Sequence, residues 1–217
     1  MTKTVIFDMD GVLIDSEPLH YESDRRTMRE YGLELSDEEM EAYVGITGEK
    51  MWADLREKYG IADSGETLMR KQEVHKRALF GQDLQPIEGI PELLEALQSA
   101  GRGIALASSS PRYFIDMVLD GLGLRRYFPV VVSGADVKNG KPAPDIFLRA
   151  AELLGVEPQH CVVIEDSGHG VRAAKAAGMQ CIGLVTPNSG KQDLSLADFV
   201  VESVFSAFSY IGLEQTR

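Results

Sequence analysis

The sequence has little of what several classes of protein require. Only two of its 217 residues are cysteines, Cys161 and Cys181, each in an apolar, strand-like stretch. We therefore expect buried free thiols rather than a disulfide framework or a thiolate metal site. No apolar run approaches the roughly 20 residues that span a membrane, and the first apolar run, interrupted by Asp8, is too short for a signal sequence. These features predict a cytoplasmic protein without a membrane partner.

Positive charge is also scarce. The chain has 22 Lys and Arg residues against 34 Asp and Glu residues, which gives a formal net charge of -12. Such a field repels polyanions, so a nucleic acid is excluded as the expected partner. A small phosphate ester is still compatible with this charge, because a local basic pocket can bind it.

Strand-like and helix-like segments alternate along most of the chain, which is the βαβ pattern of a parallel sheet with helices on both faces. The predicted strands are residues 4–7, 103–107, 130–132, 161–164, 180–184 and 199–201. The predicted helices between and after them are residues 91–99, 112–121, 145–154, 171–177 and a last one from 204. The fold class is therefore predicted to be α/β, with a doubly wound, Rossmann-like core.

The segment between the first two strands has a different character. Residues 19–31, 37–43, 49–59 and 66–79 carry apolar side chains at helical spacing and show no strand-like alternation. A direct βαβ connection needs far fewer residues. We therefore predict an α-helical cap domain, residues 17–81, inserted into a core made of residues 1–16 and 82–217. An insert at this point would lie above the carboxyl ends of the strands, where open α/β sheets bind ligands.

Two carboxylates, Asp8 and Asp10, follow the first predicted strand directly. Alternation along a strand points both to the same side, and Gly11 permits a sharp turn beside them. Like charges held this close require a bound cation or a raised pKa. The alternative is an ordinary acidic turn at a strand end.

Polar residues follow the second and third strands as well. Ser108 and Ser109 end the second strand, where hydroxyl and N–H groups suit a phosphate oxygen, although serines in this position more often cap the next helix. Lys141 lies between Gly140 and Pro142 ahead of a helix. This loop could hold the ammonium against a phosphate, but an exposed lysine is usually only solvated.

A second acidic pair, Glu165 and Asp166, follows the fourth predicted strand. A helix cap would explain one of these carboxylates, but it would not explain two acidic pairs at parallel strand ends. Four carboxylates that converge on one crevice, with no His or Cys cluster, are typical of a site for Mg²⁺.

The motifs occur in a characteristic order. Asp8 and Asp10, Ser108, Lys141 before a proline, and Glu165 with Asp166, together with the helical insert after the first motif, resemble the haloacid dehalogenase superfamily of phosphotransferases over essentially the whole chain. Segments 15–20 and 140–147 are most similar to the branch that contains β-phosphoglucomutase and small sugar-phosphate phosphatases.

The resemblance implies a role for each residue. Asp8 would attack phosphorus and form an aspartyl phosphate, and Asp10 would protonate the leaving alkoxide and later activate water. Mg²⁺ would be held by Asp8, by the main chain at Asp10 and by Asp166, with Glu165 acting directly or through water. Ser108, Ser109 and Lys141 would bind the phosphoryl oxygens.

The helical insert must distinguish a phosphatase from a mutase. In the mutase, the cap offers a lysine just before and an arginine shortly after a glycine that corresponds to Gly45. This chain has Val44 and Gly48 there, without the cations that would hold a second phosphate.

Three residues of the insert are candidates for substrate binding. They are His20, Thr47 and Lys71, with a histidine packed at an interface and a solvated helix charge as the alternatives for His20 and Lys71. Trp52 is expected in the core of the insert, with a place in the lining of the substrate pocket as the alternative.

The function predicted from the sequence is a monomeric, Mg²⁺-dependent phosphatase for a small phosphorylated metabolite, such as a sugar or polyol phosphate. The alternatives are β-phosphoglucomutase activity and a catalytically idle binding domain. The second is disfavoured because every residue that turnover needs is present.

Overall fold

The computed structural model describes residues 4–43, 48–80, 84–188 and 190–213. Contacts along the chain divide it into two compact units. The α/β unit comprises Met1–Asp15 and Leu84–Arg217, and the helical unit comprises Ser16–Asp83. These bounds lie within two residues of the predicted cap, 17–81, whose function as a cap stays a prediction. Among the described helices, none has the length and apolar composition needed to cross a bilayer.

The α/β unit is built on a parallel sheet of six strands. Strands β1 to β6 are, in chain order, Thr4–Phe7, Ile104–Ser108, Val130–Ser133, Cys161–Glu165, Gln180–Leu184 and Phe199–Val201. Their order across the sheet is β3-β2-β1-β4-β5-β6, and every neighbouring pair is parallel. The predicted doubly wound, Rossmann-like fold class is confirmed.

Helices precede or follow the strands in the predicted alternation. Helices α1 to α9 are, in chain order, Glu17–Arg29, Asp37–Glu41, Gly48–Tyr59, Gly65–Phe80, Ile90–Ser99, Arg112–Gly121, Asp145–Leu154, Gly168–Ala176 and Val204–Ile211. Short 3₁₀ turns occur at Arg125–Tyr127, Gly134–Asp136 and Pro158–His160. Helix α8 begins three residues before the predicted start, because the Ser167 hydroxyl accepts a hydrogen bond from the Gly170 N–H at 3.0 Å and caps it there.

The central strands are buried throughout. Every residue of β1, β2 and β4 is buried, as expected for strands covered by helices on both faces. Cys161 and Cys181 are free and buried, in agreement with the predicted buried thiols. Burial raises the pKa of their thiols to about 11 and about 12, so both are protonated at neutral pH.

The helical unit has an apolar core of its own, built by α1 to α4 and the turns between them. Trp52 is fully buried there, together with Met28, Leu55 and Leu68, which confirms its predicted place in the core. Its indole N–H donates a hydrogen bond to Gln72 Oε1 at 3.3 Å.

Candidate active site

The candidate site lies where the chain reverses its direction across the sheet. From β1 the strands run outward through β2 to β3, and β4 then pairs with the other side of β1. Such a switch point leaves a crevice at the carboxyl ends of the strands. Asp8 follows β1 and donates its N–H to Ile164 O at 3.0 Å, while β4 ends in Glu165. The first and last acidic motifs therefore flank the crevice.

Lys141 is buried between two acids. Its ammonium donates to Asp8 Oδ1 at 2.5 Å and to Glu165 Oε1 at 2.7 Å, and its side chain is only 7% exposed. The alternative of a solvated lysine is therefore wrong. Burial alone would lower the pKa of Lys141, but the charges of Asp8 and Glu165 raise it above its ordinary value. Lys141 is thus a permanent cation in the crevice.

Asp8 is subject to the negative charges of three other carboxylates. Burial raises the pKa of Asp8 well above its ordinary value, against the lowering effect of Lys141, and Glu165, Asp166 and Asp10 raise it further. The lysine alone therefore does not balance the carboxylates. One more cation would favour the ionised form of each acid.

Three of the acids form a compact group. Asp8, Glu165 and Asp166 are all buried, and each has a carboxylate oxygen within 4.8 Å of the others. Gly11 makes room for this group, because a Cβ atom built there would lie 1.9 Å from Asp166 Oδ2. The group is therefore a cluster of oxygen ligands that could hold a divalent cation.

Glu165 is fixed at both of its oxygens. Oε1 accepts from Lys141, and Oε2 accepts from the N–H and the hydroxyl of Ser167, at 2.8 and 2.9 Å. The carboxylate also lies against the first turn of α8, where a Cβ atom at Gly170 would be 1.6 Å from Oε1. The alternative in which Glu165 or Asp166 caps α8 is wrong, because Ser167 is the cap.

Asp10 is bound by a residue that the sequence analysis did not single out. The Ser110 hydroxyl donates to Asp10 Oδ2 at 2.8 Å. Ser110 is itself held, because its carbonyl accepts from the buried Ser133 hydroxyl at 2.7 Å and its N–H donates to Ser108 Oγ at 3.1 Å. The available signal was that Ser110 lies two residues beyond Ser108, because alternation along the chain places such a residue on the same side as Ser108.

The other predicted ligands of phosphate are placed as follows. Ser108 is fully buried at the end of β2, and Ser109 is exposed. Neither serine caps α6, because Pro111 occupies the cap position without a side-chain hydrogen bond. The alternative of a helix cap is therefore wrong, and phosphate binding by Ser108 and Ser109 stays a prediction.

Two of the three predicted substrate residues of the helical unit, His20 and Lys71, have neighbours within that unit. Lys71 Nζ lies 3.0 Å from Glu30 Oε2, 3.5 Å from Asp63 Oδ2 and 4.4 Å from the Tyr31 ring centroid. The His20 ring centroid lies 5.4 Å from that of Phe80. Thr47 and Val44 lie outside the described residues. Substrate binding by His20, Thr47 and Lys71 stays a prediction.

Comparisons with known proteins agree with this geometry. Residues 5–184 match the model of the haloacid dehalogenase-like hydrolase family. A phosphorylated carbohydrates phosphatase of Thermotoga maritima is 40% identical over 87% of this chain and 88% of its own length. Fructose-1-phosphate phosphatase of Escherichia coli is 36% identical over 82% and 94%. The crystal structure of β-phosphoglucomutase from Clostridium difficile superposes with a TM-score of 0.76, at 28% identity over 97% and 96%.

The family and the enzyme class expected from the motifs are confirmed by these matches. The relatives include both phosphatases and a phosphosugar mutase, which is the branch that the sequence resembles. The acids and the serines lie at or just beyond strand ends, and Lys141, in the loop before α7, reaches Asp8 and Glu165. All of them fall within residues 5–184, the part of the chain that the family matches. The chain therefore belongs to the haloacid dehalogenase-like hydrolases, as a phosphoric monoester hydrolase.

Proposed function

We propose that this protein is a Mg²⁺-dependent phosphatase that hydrolyses a sugar or polyol monophosphate through an aspartyl phosphate at Asp8. The observation that carries the proposal is the buried contact of Asp8 with Lys141 inside the carboxylate cluster. A carboxylate in this position can attack phosphorus, and a permanent cation beside it can bind the transferring group. The names of the two phosphatase relatives support a carbohydrate-derived substrate.

The residues fit a hard divalent cation. The cluster offers only oxygen ligands, and Mg²⁺ prefers carboxylates and water. The negative charge of the cluster is also larger than the single positive charge of Lys141. Asp8 and Asp166 are the more direct candidates, since both oxygens of Glu165 already accept hydrogen bonds. When bound, Mg²⁺ would supply positive charge that offsets the repulsion between the carboxylates and the phosphate.

The chain's own residues then account for both steps. An Asp8 oxygen forms a bond to phosphorus while the bond to the ester oxygen breaks, and Asp10 gives a proton to the leaving alkoxide. In the second step Asp10 takes a proton from water, which attacks phosphorus and releases phosphate and free Asp8. Lys141 and Ser108 hold the phosphoryl oxygens by charge and position.

Asp10 must point at the leaving group to do this. The Ser110 hydroxyl donates to Oδ2 of Asp10 and so restrains the orientation of this carboxylate. The other carboxylate oxygen then serves the proton transfer. We propose Ser110 as a positioning residue for Asp10.

The test is phosphate release from a panel of sugar and polyol phosphates with Mg²⁺. We expect turnover of some members that is lost in excess chelator and in the Asp8→Asn variant. Full activity in chelator would contradict the metal, and full activity of Asp8→Asn would contradict the nucleophile.

The mutase alternative has its own test. With β-glucose 1-phosphate and a trace of the 1,6-bisphosphate, we expect free phosphate to form faster than glucose 6-phosphate. The reverse order would establish the mutase. A monomeric state and a location in the cytoplasm stay predictions of the sequence.

A further inference from the structure

The loop that carries Lys141 contains one of only two asparagines in the chain, Asn139, and Gly140 follows it directly. This loop lies between the 3₁₀ turn Gly134–Asp136 and α7, outside any helix or strand. Asn139 and Gly140 are exposed to solvent, whereas the ammonium of Lys141, two residues further on, is buried in the candidate site. A chemical change at Asn139 would therefore occur close to a group that the reaction needs.

An asparagine that precedes glycine can lose its side-chain amide in water, and asparagine is accordingly among the thermolabile residues. Base removes the proton from the Gly140 nitrogen, which then forms a bond to Cγ of Asn139 and closes a succinimide ring. The side-chain amide nitrogen takes up a proton from water and leaves as ammonia. Water opens the ring at one of its two carbonyls, which gives aspartate or isoaspartate. A side chain on the attacking residue would hinder the approach, but glycine has none.

The surroundings of Asn139 leave this reaction open. A Cβ atom built on Gly140 would meet no atom within 4 Å apart from its neighbours in the chain. The backbone N–H and the side-chain Nδ2 of Asn139 both donate to Asp145 Oδ1, at 3.3 and 2.9 Å, and both contacts are exposed. Because one oxygen accepts both bonds, water that displaces Asp145 releases the amide and the backbone together. Such a bond contributes only about 1–3 kcal/mol, so the released state is a regular minor population.

The products change the loop in two ways. A carboxylate at position 139 replaces an amide that donates to Asp145, so a hydrogen bond becomes a repulsion between two negative charges. In the isoaspartyl product the main chain also passes through the side-chain CH₂ group, so it is longer by one carbon just before Gly140. The segment that leads to Lys141 is thereby displaced, and a displacement of about 1 Å can lower a rate by about a hundredfold.

We propose that Asn139 is a site of spontaneous deamidation, and that the isoaspartyl product withdraws Lys141 from Asp8 and Glu165 and inactivates the enzyme. The modification itself does not depend on the activity. The loss of turnover rests on the proposed function. The other asparagine, Asn188, provides a comparison within the same chain, because serine follows it and its side chain hinders the attacking nitrogen.

The test is incubation of the full-length protein at mildly alkaline pH, where base promotes ring closure. Digestion with pepsin at acidic pH, where ring closure is slow, then locates the mass gain of about 1 Da that accompanies replacement of NH₂ by OH. We expect this gain at Asn139 well before Asn188, and sooner as the pH is raised. Isoaspartate is identified by methylation with a protein isoaspartate methyltransferase, and phosphate release is measured on the same samples.

Two variants separate ring closure from other damage. Gly140→Ala should slow the mass gain, because its methyl group hinders the attack, and the fold has room for the added Cβ. Asn139→Gln keeps an amide, but its longer side chain must close a larger ring and does so more slowly. In the isoaspartyl form of the wild type we expect kcat to fall by about ten- to hundredfold. Both variants should retain their initial kcat over the same incubation.

The chemical site and its effect can each be contradicted. No mass gain at Asn139, an equally fast gain at Asn188, or a gain in Gly140→Ala as fast as in the wild type would overturn the site. Isoaspartate at position 139 with an unchanged kcat would overturn its effect on turnover. If the fresh wild type hydrolyses no ester of the panel, the proposed function and the predicted loss of turnover are both refuted, while the mass measurements still decide the site.

Discussion

Replacing Asp24 with asparagine should stabilise this protein at neutral pH. In the folded chain the pKa of Asp24 is about 6, against an ordinary value of 3.8, because its ionised form is buried. Ionisation therefore favours the unfolded chain, and stability is lost as the pH rises through this range. Asparagine resembles the protonated acid and does not ionise.

The size of the effect follows from the two pKa values. A difference of one in pKa corresponds to about 1.4 kcal/mol, so the ionisation of Asp24 costs about 3 kcal/mol above pH 7. By the same linkage the cost is less than about 1 kcal/mol near pH 4. The gain in the free energy of unfolding of Asp24→Asn over the wild type should grow between pH 4 and pH 7 and then level off.

The assay is urea unfolding from pH 4 to pH 8, followed by the fluorescence of the single tryptophan. Trp52 is buried in the core of the helical unit, so its emission reports the unit that contains Asp24. Asp54→Asn serves as the matched control and should follow the wild type, because the Asp54 carboxylate lies on the surface of α3, paired with Lys50 at 2.9 Å. A difference that does not change with pH, or a wild type more stable than Asp24→Asn at pH 8, would refute the reasoning.

Three further predictions concern the site of the α/β unit. Asp8→Asn should lower kcat at least a thousandfold with an unchanged or raised Tm, because the nucleophile is lost and the repulsion is relieved; activity within tenfold of wild type would contradict this. Gly170→Ala should lower kcat more than tenfold and also lower Tm, since its Cβ would overlap Glu165 and displace Lys141; wild-type kinetics would show that this carboxylate has no part in turnover. Ca²⁺ in place of Mg²⁺ should suppress turnover, because Ca²⁺ prefers more ligands and longer bonds. Phosphate release is measured with each ion, with chelator as the blank, and equal rates would show that the coordination geometry is not critical.

The strand ends were predictable because each depends on short-range signals. An apolar run predicts each strand, and the polar residue after it, Asp8, Ser108 or Glu165, marks where the strand ends. The alternation of side chains along a strand predicts to which face of the sheet that residue points. The start of α8 at Gly168 was not predicted, because the apolar periodicity begins only at Val171 and the capping role of Ser167 was not considered.

The pairing of side chains in the helical unit was not predictable in the same way. Lys71 and Lys76 lie five positions apart on α4, and sequence alone does not fix that Lys71 pairs with Glu30 while the charge of Lys76 acts on Asp24. The packing of α4 against α1 decides it, by placing Gln72 beside Asp24. Ser110 was missed for a related reason, because its partner Asp10 is distant in sequence.

The division of the chain has a consequence for how this enzyme can change. The proposed nucleophile, acid, lysine and metal ligands all belong to the α/β unit. The predicted substrate residues His20, Thr47 and Lys71 belong to a segment that the chain enters and leaves once, Ser16–Asp83. If these predictions hold, turnover and selectivity are encoded in separable stretches of the gene. We expect that a mutation in one stretch can alter the choice of ester while the reaction itself is inherited intact, so that a duplicated copy could acquire a new substrate without passing through an inactive form.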